Sequence, residues 1–207
     1  MSSSDGARIE LVPGGPANTW IVGDDDEVIV IDPGTAAPVL AAVGEREILA
    51  VICTHGHQGH AGAAPEVASR DESPIALHPL DRRDWRDLHA TDPDIEMEDD
   101  GQFGVAGVTL EVVHAPGHSR GSVLLYCDAL DAAFTGDVVC DRGPVPHEDE
   151  FPDWTKQMDA IGARVLTLPT QTRLLTGHGA ELTVANADKK FSSWYSTGPR
   201  LPDEEQS

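Results

Sequence analysis

The sequence has 207 residues, of which 40% are hydrophobic and 24% are charged. This length and composition are typical of one folded domain and exclude a disordered or fibrous chain. The formal net charge of -22 at pH 7 means that the surface repels phosphate backbones and anionic lipid headgroups, so we expect no nucleic-acid and no membrane partners.

The ends of the chain and its cysteines predict where the protein resides. The three cysteines, Cys53, Cys127 and Cys140, do not form the even, spaced set of a disulfide-bonded secreted domain. The first residues lack a signal-peptide pattern, and no stretch approaches the ~18 apolar residues of a membrane span. We therefore predict a single cytoplasmic domain over residues 1–207, with frayed ends at 1–6 and 198–207. The sequence predicts no oligomeric state.

The first half of the chain alternates between strand and helix patterns. Short apolar runs that end in turn residues predict strands at 9–12, 19–22, 27–31, 48–53 and 74–77. Helices are predicted at 38–43 and 61–70. The segment 81–101 is predicted as a polar connection with one helical turn at 83–88.

The second half continues this alternation. Strands are predicted at 108–113, 123–127, 132–135 and 173–176. Apolar residues spaced by three and four predict an amphipathic helix over 152–168, and a last helix is predicted near 185–195. The order of elements indicates an α/β fold.

Histidine and aspartate side chains recur at the ends of these predicted strands, each beside a glycine. The residues concerned are His55, His57, His60, His118, Asp137 and His178. Loops rooted in a sheet commonly carry chemistry, and glycine lets the backbone approach closely. Imidazole and carboxylate groups suit Zn²⁺ or Fe²⁺ and need no thiolate, so this pattern predicts a metal site.

Four motifs in order, together with an early strand and turn, resemble the metallo-β-lactamase superfamily over nearly the whole chain. They are THGHQGH at 54–60, PGHS at 116–119, TGD at 135–137 and TGHG at 176–179, preceded by VIVIDPG at 28–34. The resemblance implies an αββα sandwich, in which two mixed sheets are flanked by helices and a dinuclear metal site lies at their edge.

The resemblance also implies a role for each ligand. His55, His57 and His118 would hold the first metal, His60 and His178 the second, and Asp137 would bridge both. The implied cofactor is one or two zinc ions, with iron or manganese as alternatives. Catalysis is expected to depend on His118 and Asp137.

The loop GHSRGS at 117–122 and its short connection to Asp137 are similar to those of glyoxalase-II-like thioester hydrolases. LHP at 77–79, Trp85 and the Gly143-Pro144 pair are similar to small actinobacterial hydrolases of thiol conjugates. These likenesses imply a metal-bound hydroxide that attacks a small-molecule thioester, or another ester or lactone.

One residue departs from the superfamily pattern. The string HxHxDH usually carries an aspartate where this chain has Gly59. The second metal is then either held with extra water or bound weakly, and we expect weak binding. Two other functions stay open: a persulfide dioxygenase with one iron on His55, His118 and Asp137, and a non-catalytic metal- or ligand-binding module.

Overall fold

The computed structural model describes residues 6–145 and 153–198. Their strands form two six-stranded sheets, each containing both parallel and antiparallel pairs. The first sheet has the order β1 to β6, with strands Arg8–Val12, Thr19–Gly23, Glu27–Ile31, Glu47–Ile52, Ile75–Leu77 and Ile95–Glu96. The second has the order β12 back to β7, and its strands β7 to β12 are Gln102–Val105, Val108–His114, Val123–Cys127, Ala132–Gly136, Arg173–Thr176 and Leu182–Thr183.

Helices cover the outer face of each sheet. In chain order, α1 to α6 are Ala36–Val43, Gln58–Ala61, Ala64–Ala68, Arg82–Leu88, Trp154–Ala160 and Val184–Thr197. Side chains of α1 and α3 pack on the first sheet, and those of α5 and α6 pack on the second. The inner faces of the two sheets share one apolar core, in which Ile31 and Ile52 lie with Leu125 and Phe134. These four layers confirm the predicted αββα architecture.

The elements differ from the sequence prediction at several places. The helix predicted at 61–70 is two short helices, α2 and α3, because Pro65 near the start of α3 has no N–H with which to continue α2. Within the helix predicted at 152–168, α5 is followed by one π-helical turn, Ile161–Val165. The connection predicted at 81–101 contains β6, which pairs with β5.

The order of strands brings several loops to one edge of the sandwich. Parallel strands end at the same edge, so the loops after β3 and β4 lie together, as do those after β10 and β11. Two backbone hydrogen bonds join the sheets there. Val123 N donates to Thr54 O at 2.9 Å, and Asn18 N donates to Gly177 O at 2.7 Å. The chemistry-bearing loops therefore meet in one place.

Two further points concern the ends of the chain and the bilayer. Of the predicted frayed ends, residues 1–5 and 199–207 lie outside the described part of the chain. Within the described part, no helix has the length and apolar character needed to cross a membrane.

Candidate metal centre

All six residues expected to bind metal lie together at this edge of the sandwich. Asp137 is at the centre: its Oδ2 lies 3.3 Å from His60 Nε2, 3.4 Å from His178 Nε2 and 3.5 Å from His118 Nε2. The same oxygen lies 3.9 Å from His55 Nε2. The ring of His57 joins the cluster through its Nδ1, which lies 3.1 Å from His118 Nε2.

The cluster is closed on one side and open on the other. His55, His60 and His118 are at most 2% exposed and Asp137 is 5% exposed. In contrast, the side chain of His178 is 37% exposed. Solvent and small molecules can therefore reach the cluster from the side of His178.

Glycines allow the ligand loops to approach one another. A Cβ atom on Gly136, whose φ is +47°, would lie 2.3 Å from Thr54 Oγ1. A Cβ atom on Gly177 would lie 2.4 Å from Asp137 Oδ1 and 2.6 Å from His60 Cε1. All three distances are too short for a side chain, so the glycines of the TGD and TGHG motifs are required by packing against the cluster.

A hydrogen-bond network behind the cluster fixes the orientation of two imidazoles. Asp32 Oδ1 accepts from Thr54 N at 2.7 Å, and Asp32 Oδ2 accepts from Thr54 Oγ1 at 2.7 Å and from His60 Nδ1 at 2.9 Å. Because Thr54 donates its only hydroxyl proton to Asp32, it accepts from His55 Nδ1, which lies 3.2 Å away. His55 and His60 thus both direct Nε2 toward Asp137.

The third imidazole is fixed from another direction. His118 Nδ1 donates to the carbonyl oxygen of Val145 at 2.9 Å, which leaves Nε2 for the cluster. The buried Gln157 of α5 donates to the carbonyl oxygens of Asp137 and Val138 at 3.1 and 3.0 Å. Helix α5 therefore holds the loop that follows β10 in place.

The electrostatics of the cluster favour a cation at its centre. Burial lowers the pKa of His60, but the nearby carboxylates of Asp137 and Asp32 outweigh it and raise that pKa to about 10. Burial and the positive charges of His60 and His118 hold the pKa of His55 well below its usual range. Burial alone raises the pKa of Asp137, yet the positive charge of His60 and the nearby imidazole of His178 hold it well below its ordinary value.

The side chains present fit a metal ion. Three buried polar atoms of the cluster have no hydrogen-bond partner: His55 Nε2, His60 Nε2 and Asp137 Oδ1. Buried polar atoms without partners are rare, and a metal ion satisfies such imidazole and carboxylate atoms. Among residues 6–145 and 153–198, two sets have ligand atoms within 4.8 Å of one another: His55, His57 and His118, and His55, His60 and Asp137.

Gly59 leaves a gap beside the second set. It lies in the short helix α2, and a Cβ atom built on it would have only ordinary contacts, at 3.9 Å to Ala17 Cβ and 4.0 Å to Pro16 Cβ. Neither lack of space nor a positive φ requires glycine here. The side chains near the second predicted metal position are therefore His60, Asp137 and His178, without a carboxylate at position 59.

Sequence reasoning missed the residues that support the ligands. Asp32 was expected only as part of a turn, yet it holds both Thr54 and His60. Asp81 was placed in a polar connection, yet it is completely buried beside the loop of His118. The one signal available was the glycine content of the ligand motifs, which indicates close packing without naming the partner.

Comparison with known proteins identifies the family. A model of the metallo-beta-lactamase superfamily matches residues 12–178. The protein belongs to the metallo-beta-lactamase superfamily, as its motifs and its αββα fold indicate.

Two relatives within the superfamily have names that indicate hydrolases. The chain is 30% identical over 192 residues to the probable metallo-hydrolase YqgX of Bacillus subtilis, covering 84% of this chain and 90% of that protein. It is also 30% identical over 175 residues to a hydroxyacylglutathione hydrolase of Xylella fastidiosa, covering 81% of this chain and 60% of that protein.

Solved structures agree with this placement. The BLEG-1 B3 metallo-beta-lactamase superposes with a TM-score of 0.80 at 26% identity, covering 88% of this chain and 97% of that one. TTHA1623, solved in a di-iron-bound form, superposes with a TM-score of 0.70 at 27% identity, covering 87% of this chain and 97% of that one.

Proposed function

We propose that the protein is a metal-dependent hydrolase that cleaves a thioester of a small thiol. The observation that carries the proposal is the cluster itself. Buried atoms of His55, His60 and Asp137 that have no hydrogen-bond partner lie there beside the partly exposed His178. The likeness to a hydroxyacylglutathione hydrolase supports thioesters as the substrate class.

The residues suit hydrolysis of an activated acyl group. When bound, a zinc ion lowers the pKa of a coordinated water to ~7 and polarises a carbonyl oxygen. His118 supplies an imidazole whose tautomer is fixed by Val145, so its Nε2 stays available as a ligand. A thiolate leaves without a strong general acid because an ordinary thiol has a pKa of ~8.5. We therefore expect thioesters to react much faster than amides.

Asp137 is the carboxylate best placed to accept a proton during the reaction. Both oxygens of Asp32 already accept hydrogen bonds from Thr54 or His60, whereas Asp137 Oδ1 has no partner. The low pKa of Asp137 keeps it ionised at neutral pH but also makes it a weak proton acceptor. With glycine at position 59, this role falls on a residue that is also expected to bind metal, and we expect modest turnover.

The test is hydrolysis of a lactoyl or acetyl thioester of a small thiol by the zinc-loaded protein. His118→Ala and Asp137→Ala are each expected to lower the activity at least ~100-fold, since each removes an expected metal ligand. Asp128→Ala is the matched control because this exposed carboxylate lies beyond the opposite end of β10. Absence of hydrolysis at every zinc, iron and manganese loading would refute the proposal and leave a non-catalytic metal-binding module.

A second candidate is persulfide oxygenation at a single iron. His55 Nε2 and His118 Nε2 lie 3.9 and 3.5 Å from Asp137 Oδ2, which provides two histidines and one carboxylate. The di-iron-bound form of TTHA1623 supports iron as an alternative metal. Persulfide-dependent oxygen uptake by the iron-loaded protein, without thioester hydrolysis by the zinc-loaded protein, would favour this candidate.

We further propose that the substrate is met in the cytoplasm. All three cysteines are free and buried, which supports a reducing compartment. The test is to fractionate cells of the native host and to detect the protein with an antibody. Recovery of the protein outside the cytoplasmic fraction would contradict the proposal.

A further inference from the structure

A buried carboxylate outside the ligand set joins the two loops that carry His55, His57 and His118. Asp81 ends a 3-10 turn, Pro79–Asp81, after strand β5 and is 0% exposed. Its Oδ2 accepts from Gly56 N at 3.1 Å and from Ser119 Oγ at 2.6 Å, and its Oδ1 accepts from Gly121 N at 2.6 Å. Three donors from two loops therefore converge on one carboxylate.

Two glycines let these loops reach Asp81. A Cβ atom on Gly121 would lie 2.8 Å from Asp81 Cγ and 2.8 Å from Oδ1, and a Cβ atom on Gly56 would lie 2.9 Å from Asp81 O and 3.0 Å from Asp84 Cβ. Neither glycine has a positive φ. The side chain of Asp81 limits position 121 to glycine. The carbonyl oxygen of Asp81 and the Cβ atom of Asp84 limit position 56, between the two histidines of HGH.

The hydroxyl protons in this region can be followed without ambiguity. Ser119 donates its hydroxyl proton to Asp81, so Ser122 donates its own to Ser119 Oγ across 2.7 Å. Ser122 Oγ in turn accepts from Ser119 N at 3.0 Å. The turn that follows His118 is thus closed on itself and anchored to Asp81.

We propose that Asp81 is a positioning residue that sets the distance between the HGH loop and the loop of His118, and so the geometry of the first metal position. Gly56 lies between His55 and His57, and Ser119 directly follows His118, so two of the three anchored groups belong to residues adjacent to a ligand. The three hydrogen bonds of Asp81 go to two backbone amides and one hydroxyl, so it acts on the ligands through the residues beside them. The inference rests on metal binding by the cluster but not on the identity of the substrate.

The partners of Asp81 also match its charge. Burial raises its pKa, although hydrogen bonds from Ser119, Gly121 and Gly56 favour the ionised form. An amide at this position would offer one acceptor and would turn an NH₂ group toward an N–H or O–H donor. Asp81→Asn is therefore a change of almost constant volume that disrupts the anchor.

The experiment measures metal binding and stability separately. Zinc affinity is determined by competition with a chromogenic chelator, and the unfolding temperature is measured in excess EDTA. We expect Asp81→Asn to weaken binding of the first zinc ion by about 10–100-fold, as loss of a partner behind a ligand does elsewhere. The visible spectrum of the cobalt-substituted protein should change as well, because the ligand geometry changes.

A matched control separates positioning from general loss of stability. Arg46 is buried in the turn before β4 and forms an ion pair at 2.7 Å with Glu10 of β1, in the first sheet. Arg46→Gln should lower the unfolding temperature without changing zinc affinity or the cobalt spectrum. If Asp81→Asn lowers only the unfolding temperature and binds zinc as tightly as the wild type, the proposal is wrong.

A milder variant covers the case in which Asp81→Asn does not fold. Ser119→Ala removes one of three donors and leaves two backbone amides on the carboxylate. We expect it to weaken zinc binding several-fold and to shift the cobalt spectrum in the same sense. Unchanged affinity and spectrum in folded Ser119→Ala would overturn the proposal, whether or not the protein hydrolyses thioesters.

Discussion

Replacing Gly59 by aspartate adds the carboxylate that the superfamily string usually contains. The nearest non-neighbouring atoms to a new Cβ are 3.9 and 4.0 Å away, so the substitution needs no rearrangement of Ala17 or Pro16. The backbone has no positive φ at this position, so a side chain causes no strain. The effect of Gly59→Asp should therefore come from its charge.

The sign of that effect depends on metal. Without metal, a third carboxylate joins Asp32 and Asp137, and like charges repel, so the metal-free variant should be less stable than Gly59→Asn. With metal, a direct ligand is expected to contribute at least as much as a partner behind a ligand, about 10–100-fold in affinity or ~1.4–2.8 kcal/mol. Zinc should then reverse the order of stability of the two variants.

The assay is zinc content per chain after dialysis, with isothermal titration for the second ion. Gly59→Asn is the matched control because it has the same shape and the same effect on the backbone. We expect the wild type and Gly59→Asn to hold fewer than two equivalents and Gly59→Asp to approach two. Two full equivalents in the wild type, with no change in Gly59→Asp, would show that glycine does not weaken the second position.

Three further outcomes are expected. Gly177→Ala inserts a methyl group 2.4 Å from Asp137 Oδ1 and 2.6 Å from His60 Cε1, so it should lower the free energy of unfolding by about 1–3 kcal/mol and lower the metal content. The control is Gly104→Ala, whose methyl group would have no other atom within 4 Å. Equal unfolding temperatures of the two variants would contradict the packing argument. Burial and the neighbouring His114 lower the pKa of His78 to about 4, so the unfolded chain binds more protons than the folded chain between pH 6.5 and 4. Through His78, the stability should fall there by roughly 1–3 kcal/mol as the pH decreases. His78→Asn should make this slope smaller in urea titrations, and an unchanged slope would refute the reasoning. Zinc at ~100 times its Kd should stabilise the protein by ~2.7 kcal/mol over its EDTA-treated form, and identical thermal unfolding would count against metal binding.

The fold could be predicted from the sequence where periodic patterns are long. Strands β3 and β4 are continuous apolar runs, and both were located to within about a residue. Strands β6 and β12 have two residues each and form only because β5 and β11 offer edges to pair with. Such strands leave no periodic signal, so they were missed.

The candidate site divides in a similar way. Its ligands could be predicted because histidine at glycine-flanked strand ends is a chemical signal in the sequence itself. Its supporting residues could not, since Asp32 and Asp81 act through contacts with Thr54, Gly56 and Ser119 that only the folded chain creates. An aspartate with a structural role looks the same in sequence as the many exposed aspartates of this acidic chain.

The close packing of Gly56, Asp81 and Gly121 has a consequence for how this sequence can diverge. A side chain gained at position 121 would meet the carboxylate of Asp81 and would need a smaller or displaced residue at position 81, whereas one gained at position 56 would meet the backbone oxygen of Asp81 and Asp84 Cβ. Positions 81 and 121 should therefore vary together among descendants of this protein, whereas a side chain at position 56 would require the turn that carries Asp81 to move.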